Sequence, residues 1–413
     1  MLLLVIAIVI SFYMAFHVGS NDGANSMADA VGSKAIGLFW AVILAGIFEF
    51  AGAVLVGSHV SDTVRKGIID TQVFVVDPKA LAYGMMCALL ASAIWLHISS
   101  LLGMPVSTTH SIVGAVFGFG VVFGGFDDVH WGKMGQIVAS WFISPVVGGV
   151  MAFFAFRLIT RHILAKERPI NAARKGVPIC AFLTFTTVIL ATIYKGLKNL
   201  HLDLSGYEAI GLSLVVGLGA AVASMWLMRR IPAEKEQKHI RYQLAYVEKM
   251  FIPMVVITSC SVAFAHGAND VANAVGPLAA IVEIIQTHDV PRKVMIDTWI
   301  LVLGGGGIAI GLITLGHRVI KTVGSEITHL TPTRGVAADI STSITVLAAS
   351  RIGLPISTTH TLVGAVLGVG MARGLSAVNT RIVKSIFTSW IATVPFTAVL
   401  TVLFYAVLRW LFL

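Results

Sequence analysis

The sequence predicts an all-α polytopic membrane protein of about 12 transmembrane helices, arranged as two inverted-topology repeats with broken or re-entrant helices at the midplane. Three observations lead there. Of 413 residues, 57% are hydrophobic and 12% charged, with a mean hydropathy of +0.88, against about a quarter charged in soluble domains. Apolar runs long enough to cross a bilayer fill most of the chain. Residues 105–118, P-V-S-T-T-H-S-I-V-G-A-V-F-G, are written again as residues 355–368, P-I-S-T-T-H-T-L-V-G-A-V-L-G, identical at ten of fourteen positions.

The composition excludes much. No sizeable soluble domain fits between the apolar runs. Cys87, Cys180 and Cys260 lie within such runs without metal-like spacing, which argues against a disulfide framework or a zinc site. The net charge of +9 comes from 29 Lys and Arg against 20 Asp and Glu and sits mostly in loops, a placement that reports topology and not nucleic-acid binding. Residues 2–18 lack a basic leading region and run into a motif repeated later, so they read as a retained span. The expected location is the cell (inner) membrane, multi-pass.

In chain order, apolar runs occur at residues 2–18, 36–57, 80–102, 106–124, 134–159, 178–194 and 207–228. After a charged segment they resume at 251–265, 271–285, 295–316, 337–352, 356–371 and 382–413. Counting broken helices as one or two spans leaves roughly ten to twelve crossings. Basic residues crowd 157–175 (Arg157, Arg161, Lys166, Arg168, Arg174, Lys175) and 229–249 (Arg229, Arg230, Lys235, Lys238, Arg241, Lys249). Both segments are therefore expected in the cytoplasm. The segment with Asp127 and Asp128 then lies outside, its later counterpart with Arg373, Arg381 and Lys384 inside, and both termini are extracytoplasmic.

That opposite orientation coincides with an internal repeat. Residues 16–25, F-H-V-G-S-N-D-G-A-N, match 264–273, F-A-H-G-A-N-D-V-A-N, with Asp22 and Asp270 offset by 270 − 22 = 248. The hydroxyl motif repeats at 355 − 105 = 250, and Trp141 and Trp390 at 390 − 141 = 249. The chain divides into a first repeat (1–160), connecting helices with a cytoplasmic linker (161–249), and a second repeat (250–413).

Each half holds one Asn-Asp-x-x-Asn cluster: Asn21, Asp22 and Asn25, then Asn269, Asp270 and Asn273. Residues i and i+3 share a helix face, and the preceding Gly19 and Gly267 permit an unwound turn. An Asp within an apolar run is a functional-site hypothesis by default; the competing reading is an ordinary helix cap. The second cluster is Ser107-Thr108-Thr109-His110 with Ser357-Thr358-Thr359-His360. Free N–H groups and the dipole at a helix start attract anions, and hydroxyls add donors; the competing reading is capping and close packing. With no Lys or Arg in either motif, an oxyanion is held without being trapped.

His110 and His360 adjoin hydroxyls, but an i+1 neighbour faces away, so a structural role for them is preferred to a Ser-His nucleophile. His17 and His266 fall one residue out of register and receive no role. The run 304–307 of glycines reads as close helix packing, because no Gly-Lys-Ser/Thr follows it. Two carboxylates beside an anion repel it unless each holds a cation or proton, which makes coupled transport the expectation. Glu49 and Asp339, embedded in apolar runs, are further transport-associated acids.

On these residues the chain resembles the inorganic phosphate transporter (PiT) family. G-A-N-D-V-A-N is complete at 267–273, while 19–25 departs at Ser20 and Gly23. G-x-P-x-S-T-T-H occurs from Gly103 and from Gly353, and I-F-E-x-x-G at 47–52 and R-K-G-I-I-D at 65–70 also look like family sequence. The resemblance implies import of inorganic phosphate coupled to sodium by alternating access, without enzymatic chemistry or cofactor. Protons as the coupling ion, or sulfate as cargo, are the alternatives within the family. Carried over by position, Asn25, Ser107, Thr108, Thr109, Asn273, Ser357, Thr358 and Thr359 are expected at phosphate, and Asn21, Asp22, Asn269 and Asp270 at sodium. Expected partners are phosphate, sodium and the lipid bilayer, with no nucleic acid; the oligomeric state is left open, a homodimer included.

Overall fold

The computed structural model of the chain describes residues 1–57, 68, 71–75, 77–196, 205–232, 235, 238–290, 296–351 and 356–412. Most of the R-K-G-I-I-D stretch, and Gly353 to Pro355 leading the second hydroxyl motif, lie outside the described residues. Every regular element among those described is helical.

Helix α1 (Leu2–His17) runs into a π-helical turn (Val18–Gly23), then short α2 (Ala28–Gly32) and α3 (Leu38–Val56). Helix α4 (Pro78–Leu101) starts on Asp77, whose side chain accepts from Ala80 N, with proline at the first helical position, where its missing N–H costs nothing. It turns into α5 (Thr108–Gly124), and α6 (Trp131–Ile159) follows. Helices α7 (Pro169–Gly196) and α8 (Gly206–Arg229) form the connecting pair, α8 opening with a Ser205–Glu208 capping box. The second part comprises α9 (Ile240–Thr287), α10 (Thr298–Leu315), short α11 (His317–Lys321), α12 (Pro332–Arg351), α13 (Thr358–Ala372) and α14 (Thr380–Phe412).

Nine helices among the described residues are long and apolar enough to cross a membrane, which makes this an all-α polytopic membrane protein. Helices α5 and α13, of 17 and 15 residues, reach only about 23–26 Å at 1.5 Å per residue, short of the ~30 Å hydrocarbon core. Their N-termini consequently start inside the protein. The two apolar runs at 251–265 and 271–285 are one 48-residue helix, α9, not separate spans.

Helix packing interlocks the two halves. Helix α5 packs on α14, the bearer of Ser389-Trp390, while α13 packs on α6, the bearer of Ser140-Trp141. Close approach requires small residues: a Cβ on Gly364 would collide with the Pro145 backbone, and one on Gly114 with Val394 and Thr397. The glycine run lies within α10, where Gly304 faces Val271 and Val275 of α9 and Gly307 faces Phe12 and Ala15 of α1. Helices α4 and α9 form the buried centre. Helix α8 lies at the rim, with Val215, Leu218 and Val222 exposed, as expected of a lipid-facing surface.

Candidate functional site

Both Asn-Asp clusters, buried except for half-buried Asn269, meet at the centre, but their backbones differ. Asp22 lies in the π-helical turn Val18–Gly23, an extra-residue winding common at functional sites, whereas Asp270 sits within unbroken α9. The turn expected at Gly267 is therefore absent. Gly267 serves close packing, since a Cβ there would strike the Glu49 backbone, and Gly19 meets the Ile308 backbone in the same way. The departure at Gly23 also has a cause: a Cβ there would stand 3.2 Å from Glu49 Oε1, space that the corresponding Val271 does not have to leave.

Each hydroxyl motif begins its helix as an N-cap. Ser107 Oγ accepts from His110 N at 3.3 Å and Ser357 Oγ from His360 N at 3.2 Å, so the two serines cap their helices while each keeps its hydroxyl hydrogen as a donor. The first threonine at each helix start donates to a carboxylate of its own half. Thr108 N donates to Asp22 Oδ2 at 3.1 Å, and Thr358 Oγ1 donates to Asp270 Oδ2 at 3.1 Å. The anion-binding capacity of a helix start is thus used in part by the protein's own aspartates.

The next threonine crosses to the other half. Asn25 Nδ2 donates to Thr359 Oγ1 at 2.8 Å, and Asn273 Nδ2 reaches Thr109 Oγ1 at 3.5 Å. These exchanged pairs bring four of the predicted phosphate residues to one place. The Thr109 and Thr359 hydroxyls act there as acceptors, which leaves each hydroxyl hydrogen available to an anion.

A residue without a role in the sequence reading joins them. His266 Nδ1 lies 2.7 Å from Glu49 Oε2, and Nε2 lies 2.9 Å from Asp270 Oδ2 and 3.9 Å from Asp22 Oδ2. Its near-counterpart His17 instead stacks on His97, with ring centroids 4.3 Å apart. The signal that could have found His266 was its i,i+4 spacing to Asp270 on a continuous helix; comparison in register with His17 concealed it.

Asp22, His266 and Asp270 offer ligand atoms within 4.8 Å of one another, all buried. At that separation two carboxylates repel by roughly 3–4 kcal/mol for an effective dielectric constant of ~20. Among the described residues Asp22 Oδ1, Asn25 Oδ1 and Thr108 Oγ1 are buried with no hydrogen-bond partner. Two of these atoms are pure acceptors, and buried acceptors without donors suit a hard, oxygen-seeking cation.

The remaining candidates have other surroundings. Asn21 fastens the loop before α5: Oδ1 accepts from Val106 N at 2.9 Å and Nδ2 donates to Met104 O at 2.9 Å. Asn269 Nδ2 donates to Asp270 Oδ1 at 3.3 Å. His110 and His360 meet edge to face at 4.2 Å, and each lies against the tryptophan of one repeat marker, Trp141 at 3.7 Å and Trp390 at 3.5 Å. Asp339 stands apart from the central cluster, its Oδ2 accepting from Thr258 Oγ1 at 2.6 Å and Ser259 Oγ at 2.9 Å, with fully buried Asp29 beside it.

Comparison with known proteins places the chain among its relatives. The phosphate transporter family matches residues 18–401, a span that includes both Asn-Asp clusters and both hydroxyl motifs. A Pyrococcus abyssi protein named as a phosphate permease is 45% identical over 383 residues, 93% of this chain and 92% of its own length. A Haemophilus influenzae protein named in the same way is 43% identical over 94% of this chain and 92% of its own. The chloroplastic inorganic phosphate transporter 2-1 of Arabidopsis thaliana is 38% identical over 94% of this chain and 68% of its own. A solved structure described as the sodium-dependent phosphate transporter superposes with a TM-score of 0.88, at 43% identity and 100% coverage of both chains. The chain belongs to the phosphate transporter family, a family of transporters and not of enzymes.

Proposed function

We propose that this chain imports inorganic phosphate together with sodium ions by alternating access. The observation that carries the reading is the convergence of Asp22, Asp270, Asn25, Asn273, Thr109 and Thr359 from both halves on one place, with no Lys or Arg in contact with it among the described residues. Phosphate takes the Thr109 and Thr359 hydroxyls and the neighbouring first-turn N–H groups, which have no intrahelical acceptor. Sodium takes the oxygens of Asp22 and Asp270. Ser107 and Ser357 act as caps that orient these donors, Thr108 and Thr358 hold the aspartates, and Asn21 and Asn269 position the sodium ligands.

Charge counting supports coupling. Glu49, Asp22 and Asp270 carry three negative charges when ionised, and His266 supplies at most one positive charge. Phosphate entering a site with such an excess needs accompanying cations. Glu49 serves transport by holding His266, and Asp339 by pairing with Asp29, a second buried acidic couple that requires a proton or a cation. In the same proposal residues 1–160 and 250–413 are inverted repeats that rock about the site, with 161–249 connecting them. The basic loops face the cytoplasm and both termini lie outside in the cell membrane; light scattering of the detergent-solubilised protein reads whether it is a homodimer.

The experiment is uptake of labelled phosphate into proteoliposomes under an imposed sodium gradient, then under a proton gradient alone. Accumulation only with sodium is the expected result. Equal accumulation with protons alone would transfer the coupling to His266 and the carboxylates as proton carriers, and effective competition by sulfate would overturn the substrate.

A further inference from the structure

A cavity lies away from the central site, between the end of α6 with its π-helical continuation (Thr160–Leu164), the first half of α7, and α12. Its volume is about 1060 Å³, at the upper limit of the ~300–1,000 Å³ of ordinary small-molecule sites. The inner wall is apolar, with Ile163 of the π-helical continuation and Val336 and Ile340 of α12. The outer rim is formed by Leu158, Ile179 and Leu183, which are 58%, 61% and 51% exposed. Exposed leucine and isoleucine on spanning helices face hydrocarbon, so the groove opens sideways into the lipid.

Its polar groups are confined to one end. Lys166, Arg168 and Lys175 line the cavity with one acid, Glu167. All four are solvent-exposed, and among the described residues none of the three cations has a carboxylate within ion-pair distance. From Lys175 to Leu183 along α7 the groove continues for roughly 12 Å at 1.5 Å per residue with apolar lining. The α6 side is ordered alike: Leu158 and Ile159 lie deeper, and His162 and Lys166 nearer the charged end. A slot with cations at one end, an apolar length and a lateral opening matches an amphiphile with an anionic head. Inorganic phosphate would use only the mouth, and a neutral lipid would leave the cations uncompensated.

We infer that this groove is a binding site for an anionic phospholipid. Its phosphodiester head is held by Lys166, Arg168 and Lys175, and an acyl chain lies along Ile179 and Leu183 toward α12. Basic pockets between spanning helices recognise acidic head groups by the same charge pairing. The site is independent of the central one and shares no residue with it, although one of its walls is the helix that carries Asp339.

Native mass spectrometry of the full-length detergent-solubilised protein, titrated with phosphatidylglycerol and with phosphatidylcholine of identical chains, tests this. Phosphatidylglycerol should bind tighter, and the triple variant Lys166→Gln, Arg168→Gln, Lys175→Gln should lose on the order of a hundredfold in its affinity, about fivefold per cation at ~1 kcal/mol each. Its phosphatidylcholine binding should be unchanged, which also shows that the variant is folded. Equal affinity for the two lipids, an unaltered triple variant, or displacement of the lipid by inorganic phosphate would each overturn the inference. So would disulfide cross-linking of an Ile179→Cys variant between copies in lipid-free detergent, which would give the groove to a second chain.

Discussion

Asn25 donates a hydrogen bond of 2.8 Å to the hydroxyl of Thr359, 334 residues further along the chain. The reciprocal contact, from Asn273 to Thr109, joins the same motif positions in the opposite sense. Each half therefore supplies the donor to the other half's second motif threonine, the hydroxyl proposed to meet phosphate. In the proposed alternating-access cycle, movement of one half relative to the other would break or carry both contacts.

Removing Asn25 should misorient the hydroxyl and removing Thr359 should delete it, in both cases without a change of charge. Asn25→Ala and Thr359→Val are each expected to raise the KM for phosphate by about threefold to tenfold, the worth of a hydrogen bond of ~0.5–1.5 kcal/mol. The double variant should be little worse than either single one. Fully additive losses in proteoliposome uptake would show that the two side chains act separately.

The aspartates should matter through charge. Asp22→Asn and Asp270→Asn keep the shape but remove the negative charge of the proposed cation ligands, and each should reduce sodium-driven phosphate uptake at least tenfold. The sodium concentration for half-maximal uptake should rise in any residual activity. Unchanged sodium dependence in either variant would exclude that residue as a ligand.

His266 binds buried carboxylates together, so its loss should be felt in stability first. His266→Leu leaves Glu49, which is 0% exposed, without its partner, and breaking a buried pair costs about 3–5 kcal/mol. Adding Glu49→Gln should restore much of the thermal stability in detergent without restoring transport. If His266→Leu unfolds at the wild-type temperature, the ion pair contributes nothing to the fold.

Gly23 offers a test of crowding. A Cβ there would stand 3.2 Å from Glu49 Oε1 and 3.4 Å from Leu312 Cδ1. Gly23→Ala should be tolerated with a modest loss, whereas Gly23→Val, which copies Val271 of the other half, should displace the Glu49 carboxylate and reduce uptake more than Gly23→Ala does. Equal activity of the two variants would show that the carboxylate position is not constrained from this side.

Much of the fold was legible because membrane burial leaves a coarse signal. Apolar runs, basic loops and motifs repeated at nearly one spacing locate the helices whatever their partners. The site residues were legible as a set for a similar reason, since polar groups in apolar runs are costly unless used. The roles within the set were less accessible. Ser107 and Ser357, expected at phosphate, also cap their helices, and Asn21, expected at sodium, also fastens a loop. The glycines preceding both clusters were expected to unwind the chain, but Gly267 allows close packing within an unbroken helix.

By itself the sequence determined which chemistry is available: paired aspartates, amides and hydroxyls in an apolar chain, with no cationic ligand among the motifs. Only the tertiary structure decided which groups meet. Along a helix one residue of offset turns a side chain by about 100°, so His266 enters the carboxylate cluster while His17 stacks on His97. Pairing across 334 residues, as between Asn25 and Thr359, depends on how α5 and α13 pack against α14 and α6, and that packing is set by side-chain volume and close glycine contacts that no local pattern in the chain encodes.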